Sequence, residues 1–260
     1  MNSQALSIVD GESLDRQLAH RRRLSDRAHC VLGADAVSVL EYGSTSGQPR
    51  RDLYSDVDLW VVVPDGAEEE VIASRDLAFR AIGGAYLRYE RPRFAPLDGM
   101  HSIVMYPGPV VSQELDITIL PERHHGLYED FLTAQANDPS DAYPWREGDD
   151  SKEPADKLAY LLCVAYWTMK YVLRGEEGRL SWLLKRYAEV RQFVPELPAL
   201  EESWADEAKL VQTVTQVVGN VEGVAEKLFS TSSKESFSRF RAVPSLGVSA
   251  LDFATRSIGA

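Results

Sequence analysis

Cysteine is scarce in this chain. Its 260 residues hold two, Cys30 and Cys163, and no CxxC spacing. That excludes a disulfide-stapled secreted scaffold and a zinc ribbon. Both cysteines fall in apolar helical surroundings and read as buried free thiols of an intracellular protein. Long apolar runs are missing too. The longest, residues 158–169, falls short of the ~18 residues a membrane span requires. The first residues, Met1-Asn2-Ser3-Gln4-Ala5-Leu6, lack the charged-then-apolar pattern of a secretory signal. A cytoplasmic location is the expectation. Positive charge is also in short supply: 28 Lys and Arg stand against 40 Asp and Glu, a formal net charge of −12. Such a field repels nucleic-acid phosphates and attracts cations. A protein that grips nucleic acid needs a basic stripe. The one basic run, Arg21-Arg22-Arg23, lies inside an amphipathic helix expected over 12–32 and reads as its solvated face. His124-His125 precedes another helix and reads as a cap or a surface pair.

What the chain does have is a pattern of acids in apolar strands. Gly43-Ser44 is followed, after a polar spacer, by Ser55-Asp56-Val57-Asp58-Leu59-Trp60-Val61-Val62-Val63. The β-branched run predicts a buried strand over 57–63, bounded by Pro64-Asp65-Gly66. Alternate strand residues share a face, so Asp56 and Asp58 point the same way, roughly 6–7 Å apart. Two anions there repel, by up to ~4 kcal/mol at ~4 Å and an effective dielectric of about 20. A bound cation reverses that sign, and paired carboxylates with open coordination positions are how Mg²⁺ is held beside phosphates. A lone Asp-x-Asp also suits a solvated edge or a turn cap. A second apolar run argues against that: it ends Gln113-Glu114-Leu115-Asp116-Ile117-Thr118-Ile119-Leu120 and stops at Pro121. Asp116 sits at a core-like position and needs a partner. Glu114 shares its face. If the two strands are neighbours, three or four acids converge.

The remaining elements are expected in order. A strand at 37–42 precedes the Gly-Ser turn, a helix covers 68–82, short strands cover 85–90 and 101–106, and a helix covers 126–136. A polar, proline-containing stretch at 137–150 follows, a composition shift that marks a domain boundary. Beyond it the pattern is helical, at 154–174, 179–190 and 203–229. The predicted fold class is therefore an α/β (α+β) core with a mixed sheet over 1–140, followed by a helical bundle over 141–260. With 44% hydrophobic residues there is ample core for both.

Gly-Ser, a spacer, Asp-x-Asp at a strand start and a later hydrophobic-Asp-hydrophobic strand resembles the nucleotidyltransferase superfamily typified by DNA polymerase β. The likeness covers roughly residues 37–120. It implies that Gly43 and Ser44, with Ser55, contact the phosphates of a nucleoside triphosphate. It implies that Asp56, Asp58 and Asp116 bind two Mg²⁺ ions. Arg50 and Arg51 in the spacer face either triphosphate or solvent. In the helix at 154–174, Lys170 and Arg174 lie four residues apart, with Trp167 a turn earlier. They are candidates to clasp the triphosphate and base, against the alternative that both cations reach out from the helix end toward Glu176 or Glu177.

An α/β half followed by helices looks like the small-molecule nucleotidyltransferases that adenylylate aminoglycoside and lincosamide antibiotics, and Arg174-Gly175-Glu176 is similar to an element in some of them. The implied reaction is Mg²⁺-dependent transfer of a nucleoside monophosphate, AMP from ATP, to a hydroxyl of a small, cationic, antibiotic-like acceptor bound between the halves, with release of pyrophosphate. Glu114 is the candidate general base, with Glu90 as an alternative if its strand lies alongside. Two other readings stay open: a toxin-type enzyme that modifies a protein or tRNA, and a non-catalytic nucleotide-binding member.

Overall fold

The structure, a computed structural model, describes residues 11–42, 52, 54–85, 87–91, 94–109 and 112–137, and beyond them 159, 160, 163, 166, 167, 170, 171, 188, 191 and 192. The chain divides into two compact units, Leu14–Lys152 and Met1–Ser13 with Glu153–Ala260.

The first unit is an α+β fold around a mixed five-stranded sheet of order β1-β2-β5-β4-β3. Helix α1 is Gly11–Leu32, followed by β1, Ser38–Glu41, and β2, Val57–Val63. Helix α2, Glu68–Gly83, begins on three glutamates that suit its positive end and stops where Gly84 turns left-handed, at φ 72°. Strands β3, Leu87–Glu90, and β4, Met100–Tyr106, form a hairpin, and β5 is Gln113–Pro121. One 3₁₀ turn leads into α3, His125–Asn137. Strands β2 and β5 run parallel at the centre, while β1 pairs antiparallel with β2, and β4 with both β5 and β3.

Strand alternation gives the sheet two different faces. One carries Val57, Leu59, Val61 and Val63 of β2 with Leu115, Ile117 and Ile119 of β5, packed against Leu24, Ala28 and Leu32 of α1 and Phe79 and Ile82 of α2. The other carries Trp60, Val62 and Leu120, packed with Tyr128 of α3 and Tyr42. With both faces covered, all seven residues of β2 are buried. This is why β2 reads as a continuous apolar run rather than as an alternation.

Two expectations about α1 are corrected. Arg21 is buried, while Arg22 and Arg23 are exposed. It joins Gln17 and Ser25 in a buried polar stripe at four-residue spacing, on the side of the helix that meets the strand ends. Cys30 is exposed rather than buried, and Cys163 is buried. Of the expected helical half, residues 159, 160, 163, 166, 167, 170, 171, 188, 191 and 192 are described, and all but 192, which is in a turn, are helical. Ala159, Cys163, Tyr166, Trp167 and Lys170 are buried. The helix expected at 203–229 lies outside the described residues. Among the described residues, no helix is long and apolar enough to cross a membrane.

Candidate functional site

The two central parallel strands bring Asp58 and Asp116 into register as direct partners. Neighbouring strands lie about 4.8 Å apart, so both side chains leave the same sheet face side by side. Asp58 is 9% exposed, and the Asp116 side chain 19%. Like charges directly opposite destabilise a ladder.

Two donors converge on one oxygen of this pair. The Tyr42 hydroxyl donates to Asp116 Oδ1 at 2.9 Å. His101 Nε2, on β4, lies 2.9 Å from the same oxygen. Oδ2 of Asp116 has no hydrogen-bond partner among the described residues. Burial pushes the Asp116 carboxyl up, but His101, Arg91 and Tyr42 together outweigh it and hold the group below the usual carboxylate range. The Tyr42 phenol moves the other way. Burial raises it most, and Asp116, Tyr128 and Asp58 raise it further.

The chain entering β2 is held from several sides. Asp52 Oδ1 accepts the Tyr54 N–H at 2.8 Å and the Ser55 hydroxyl at 3.3 Å, closing a turn on its own side chain. Gln113 Nε2 donates to the Ser55 carbonyl at 2.8 Å, and Gln17 Nε2 donates to Gln113 Oε1 at 3.3 Å. Arg21 Nε donates to the Asp56 carbonyl at 2.8 Å. Ser55 is buried, and the Asp56 side chain is half-buried just ahead of the strand.

Glu114 is 3% exposed and lies two residues before Asp116 on the same face of β5. Glu90 is elsewhere. Strand β4 separates its strand from β5, and its register partner Ser102 falls on the opposite face from His101 and Ile103. Its carboxylate is tied to Arg75 at 2.7 Å and to Arg88. The alternative base is therefore an ion-paired edge residue, not a neighbour of the aspartates. Gly43, Ser44, Arg50, Arg51 and Arg174 lie outside the described residues. Lys170 is buried in the second unit, its ammonium 5.9 Å from the Tyr171 ring centre.

Beyond Asp58 along the same face, Trp60 packs against Tyr42 at 5.0 Å, Tyr128 at 4.9 Å and His125 at 6.0 Å between ring centres. Thr118 Oγ1 and the Tyr128 hydroxyl share a hydrogen bond of 3.1 Å. His125 is thus the edge of an aromatic cluster, while His124 reaches Asp98 at 3.2 Å.

Tyr42, His101, Arg21 and Gln113 escaped the sequence reading. Only Arg21 left a usable signal, its spacing from Gln17 and Ser25.

Among the described residues, no three His, Cys, Asp or Glu side chains are gathered closely enough to hold a metal ion by themselves. A pair of carboxylates with one unengaged oxygen suits Mg²⁺, which keeps several waters and takes one or two carboxylates plus phosphate oxygens rather than a closed protein cage. No family model, curated protein or solved structure matches the chain.

Proposed function

We propose that this protein is a Mg²⁺-dependent nucleotidyltransferase of the DNA polymerase β type, which moves AMP from ATP to a hydroxyl of a small acceptor. The observation that carries this reading is the register pairing of Asp58 with Asp116 on adjacent parallel strands. An apolar ladder gains nothing from two facing acids unless a cation sits between them.

Asp58 and Asp116 would hold the cation, with Asp56 as the third acid at the strand mouth. When bound, Mg²⁺ supplies charge neutralisation at the phosphates and lowers the pKa of the acceptor hydroxyl. The chain's own part is positioning. Arg21 and Gln113 fix the carbonyls of Asp56 and Ser55. Gly43, Ser44 and Ser55 are assigned to the triphosphate. Glu114, on the face of Asp116, is assigned to accept the proton of the attacking hydroxyl. The net charge of −12 favours a cationic acceptor over nucleic acid. A helical second half over 141–260 belongs to the same reading.

Incubation with labelled ATP, GTP and CTP and Mg²⁺ tests the proposal, with aminoglycosides, lincosamides, tRNA and the protein itself offered in turn. A labelled small molecule with release of pyrophosphate is the expected result. Label on tRNA or protein would promote the toxin-type reading. Triphosphate binding without transfer would promote the non-catalytic one.

A further inference from the structure

The arrangement around Asp116 goes beyond a pair of acids. Its Oδ1 takes a hydrogen bond from Tyr42 and another from His101, each 2.9 Å long, from strand ends on opposite sides of the β2–β5 pair. Its Oδ2 takes none among the described residues. The asymmetry is built in. His101 is 5% exposed, and its Nε2 lies 2.9 Å from Asp116 Oδ1, its one ion-pair partner among the described residues. Its other ring nitrogen, Nδ1, is buried and has no hydrogen-bond partner among the described residues. The ring itself is held in place. Phe94 packs against it with ring centres 5.6 Å apart, and Arg91 lies 3.5 Å over Phe94. The Arg91 N–H donates to the His101 carbonyl at 2.9 Å, and the Phe94 N–H to the Arg91 carbonyl at 2.9 Å.

A buried nitrogen left unsatisfied carries a desolvation cost; His20, His124 and His125 each carry one as well, and what sets His101 apart is its Nε2 aimed at Asp116. Leucine or phenylalanine would fill the same space without that cost. What the imidazole adds is one donor aimed at one carboxylate oxygen.

We infer that Tyr42 and His101 are positioning residues that occupy Oδ1 of Asp116 and so present Oδ2 alone, beside Asp58, to a divalent cation. The inference rests on the nucleotidyltransferase reading for the presence of the cation, and it adds how the ligand is aimed. A carboxylate locked through one oxygen binds through the other without searching rotamers, and groups that orient metal ligands typically account for a 10–100-fold share of metal affinity.

The test uses the full chain and Mn²⁺ as the probe. Binding is followed calorimetrically and by the electron paramagnetic resonance of free Mn²⁺, with and without ATP, and melting temperature is recorded beside it. Tyr42→Phe and His101→Phe are each expected to weaken Mn²⁺ binding by about 10–100-fold. His101→Gln, which returns an amide N–H at similar reach, is expected to recover most of that loss. Asp116→Asn is the reference for a lost ligand. Wild-type Mn²⁺ affinity in folded Tyr42→Phe and His101→Phe, with Asp116→Asn defective, overturns the positioning role and leaves the metal site standing. The positioning role also falls if His101→Gln binds as weakly as His101→Phe while both melt like the wild type. No Mn²⁺ binding by the wild-type protein, with or without ATP, overturns both this inference and the reading beneath it. If His101→Phe does not fold, Tyr42→Phe and His101→Gln carry the decision.

Discussion

Asp58 lies directly across the parallel ladder from Asp116, between the apolar pairs Val57–Leu115 and Leu59–Ile117. Each neighbouring pair is the kind a buried parallel sheet prefers. The acids are out of place in an apolar ladder, and the proposed cation site would account for them. Removing one charge relieves a like-charge contact worth roughly 0.2–1 kcal/mol. Asp58→Asn relieves that contact while keeping the side chain's size and hydrogen-bonding capacity, so it is expected to melt within a few degrees of the wild type in EDTA. If the protein is the proposed nucleotidyltransferase, transfer should also fall by at least about a hundredfold, the scale of losing one charge-stabilising group. Calorimetric melting and a pyrophosphate-release assay on the same preparation check both halves. Near-wild-type turnover would remove Asp58 from the site.

Arg21 links helix α1 to the entrance of β2 through the Asp56 carbonyl. A charged donor to a part-buried carbonyl contributes about 1.5–3 kcal/mol. Arg21→Met keeps the aliphatic stem and deletes the donor, so a loss of that size is expected in urea unfolding. Arg22→Met, on the exposed side of the helix, should stay within about 0.5 kcal/mol of the wild type. Equal effects at the two positions would show that the carbonyl bond contributes little.

Gly99 precedes β4 with no room for a side chain. A Cβ there would meet the carbonyl oxygen of Ile119 and the ring of Pro96. A backbone oxygen inside the sheet cannot yield as a side-chain tip can. Gly99→Ala is expected to cost about 1–3 kcal/mol. Gly126→Ala is the contrast. It has open space around it within helix α3 and should be neutral or stabilising by up to ~1 kcal/mol. Equilibrium denaturation of the two variants distinguishes crowding from a general intolerance of substitution.

Arg123 ties three acids at the far end of the parallel strands, reaching Glu68 at 2.7 Å, Asp98 at 2.9 Å and Asp65 at 3.2 Å. Its hydrogen bonds hold the Glu68 and Asp98 carboxyls below their ordinary range. A carboxyl with a lowered folded pKa stabilises the fold above its unfolded pKa, near ~4, and loses that contribution as pH falls through the folded value. Wild-type protein should thus melt slightly higher than Arg123→Gln at neutral pH. The gap should close as pH falls below about 4 and shrink in high salt. A gap that persists in acid would assign Arg123 a packing role instead.

Much of the sheet was legible because its strands carry strong local signals. Val57 to Val63 is a β-branched run closed by Pro64-Asp65-Gly66, and the strand occupies those residues. Asp116 stood out because an acid between Leu115 and Ile117 has no apolar excuse. The parallel adjacency of β2 and β5 was only conditional in the sequence, since nothing local says which strands pair. Tyr42 and His101 were invisible for the same reason. Tyr42 lies 74 residues before Asp116, and His101 reaches it only through the β4–β5 register. Glu90 was a candidate only if its strand lay alongside, and β4 stands between that strand and β5. Cys30 was misjudged by helix phase: its neighbours Ala28 and Leu32 take the buried positions.

The parallel pairing of β2 and β5 also sets when the site can exist. Parallel neighbours need a long crossover, and here Gln113 must return to Ser55 across 58 residues that include α2 and the β3–β4 hairpin. Such closures come at an entropic cost before any contact rewards them, and they tend to come late and slowly in folding. Until that closure the aspartates are separate, hydrated charges on different stretches of chain. If the site holds a cation as proposed, its affinity would report completed folding. In a refolding experiment it should appear with the last step of sheet assembly, after the helical signal has recovered.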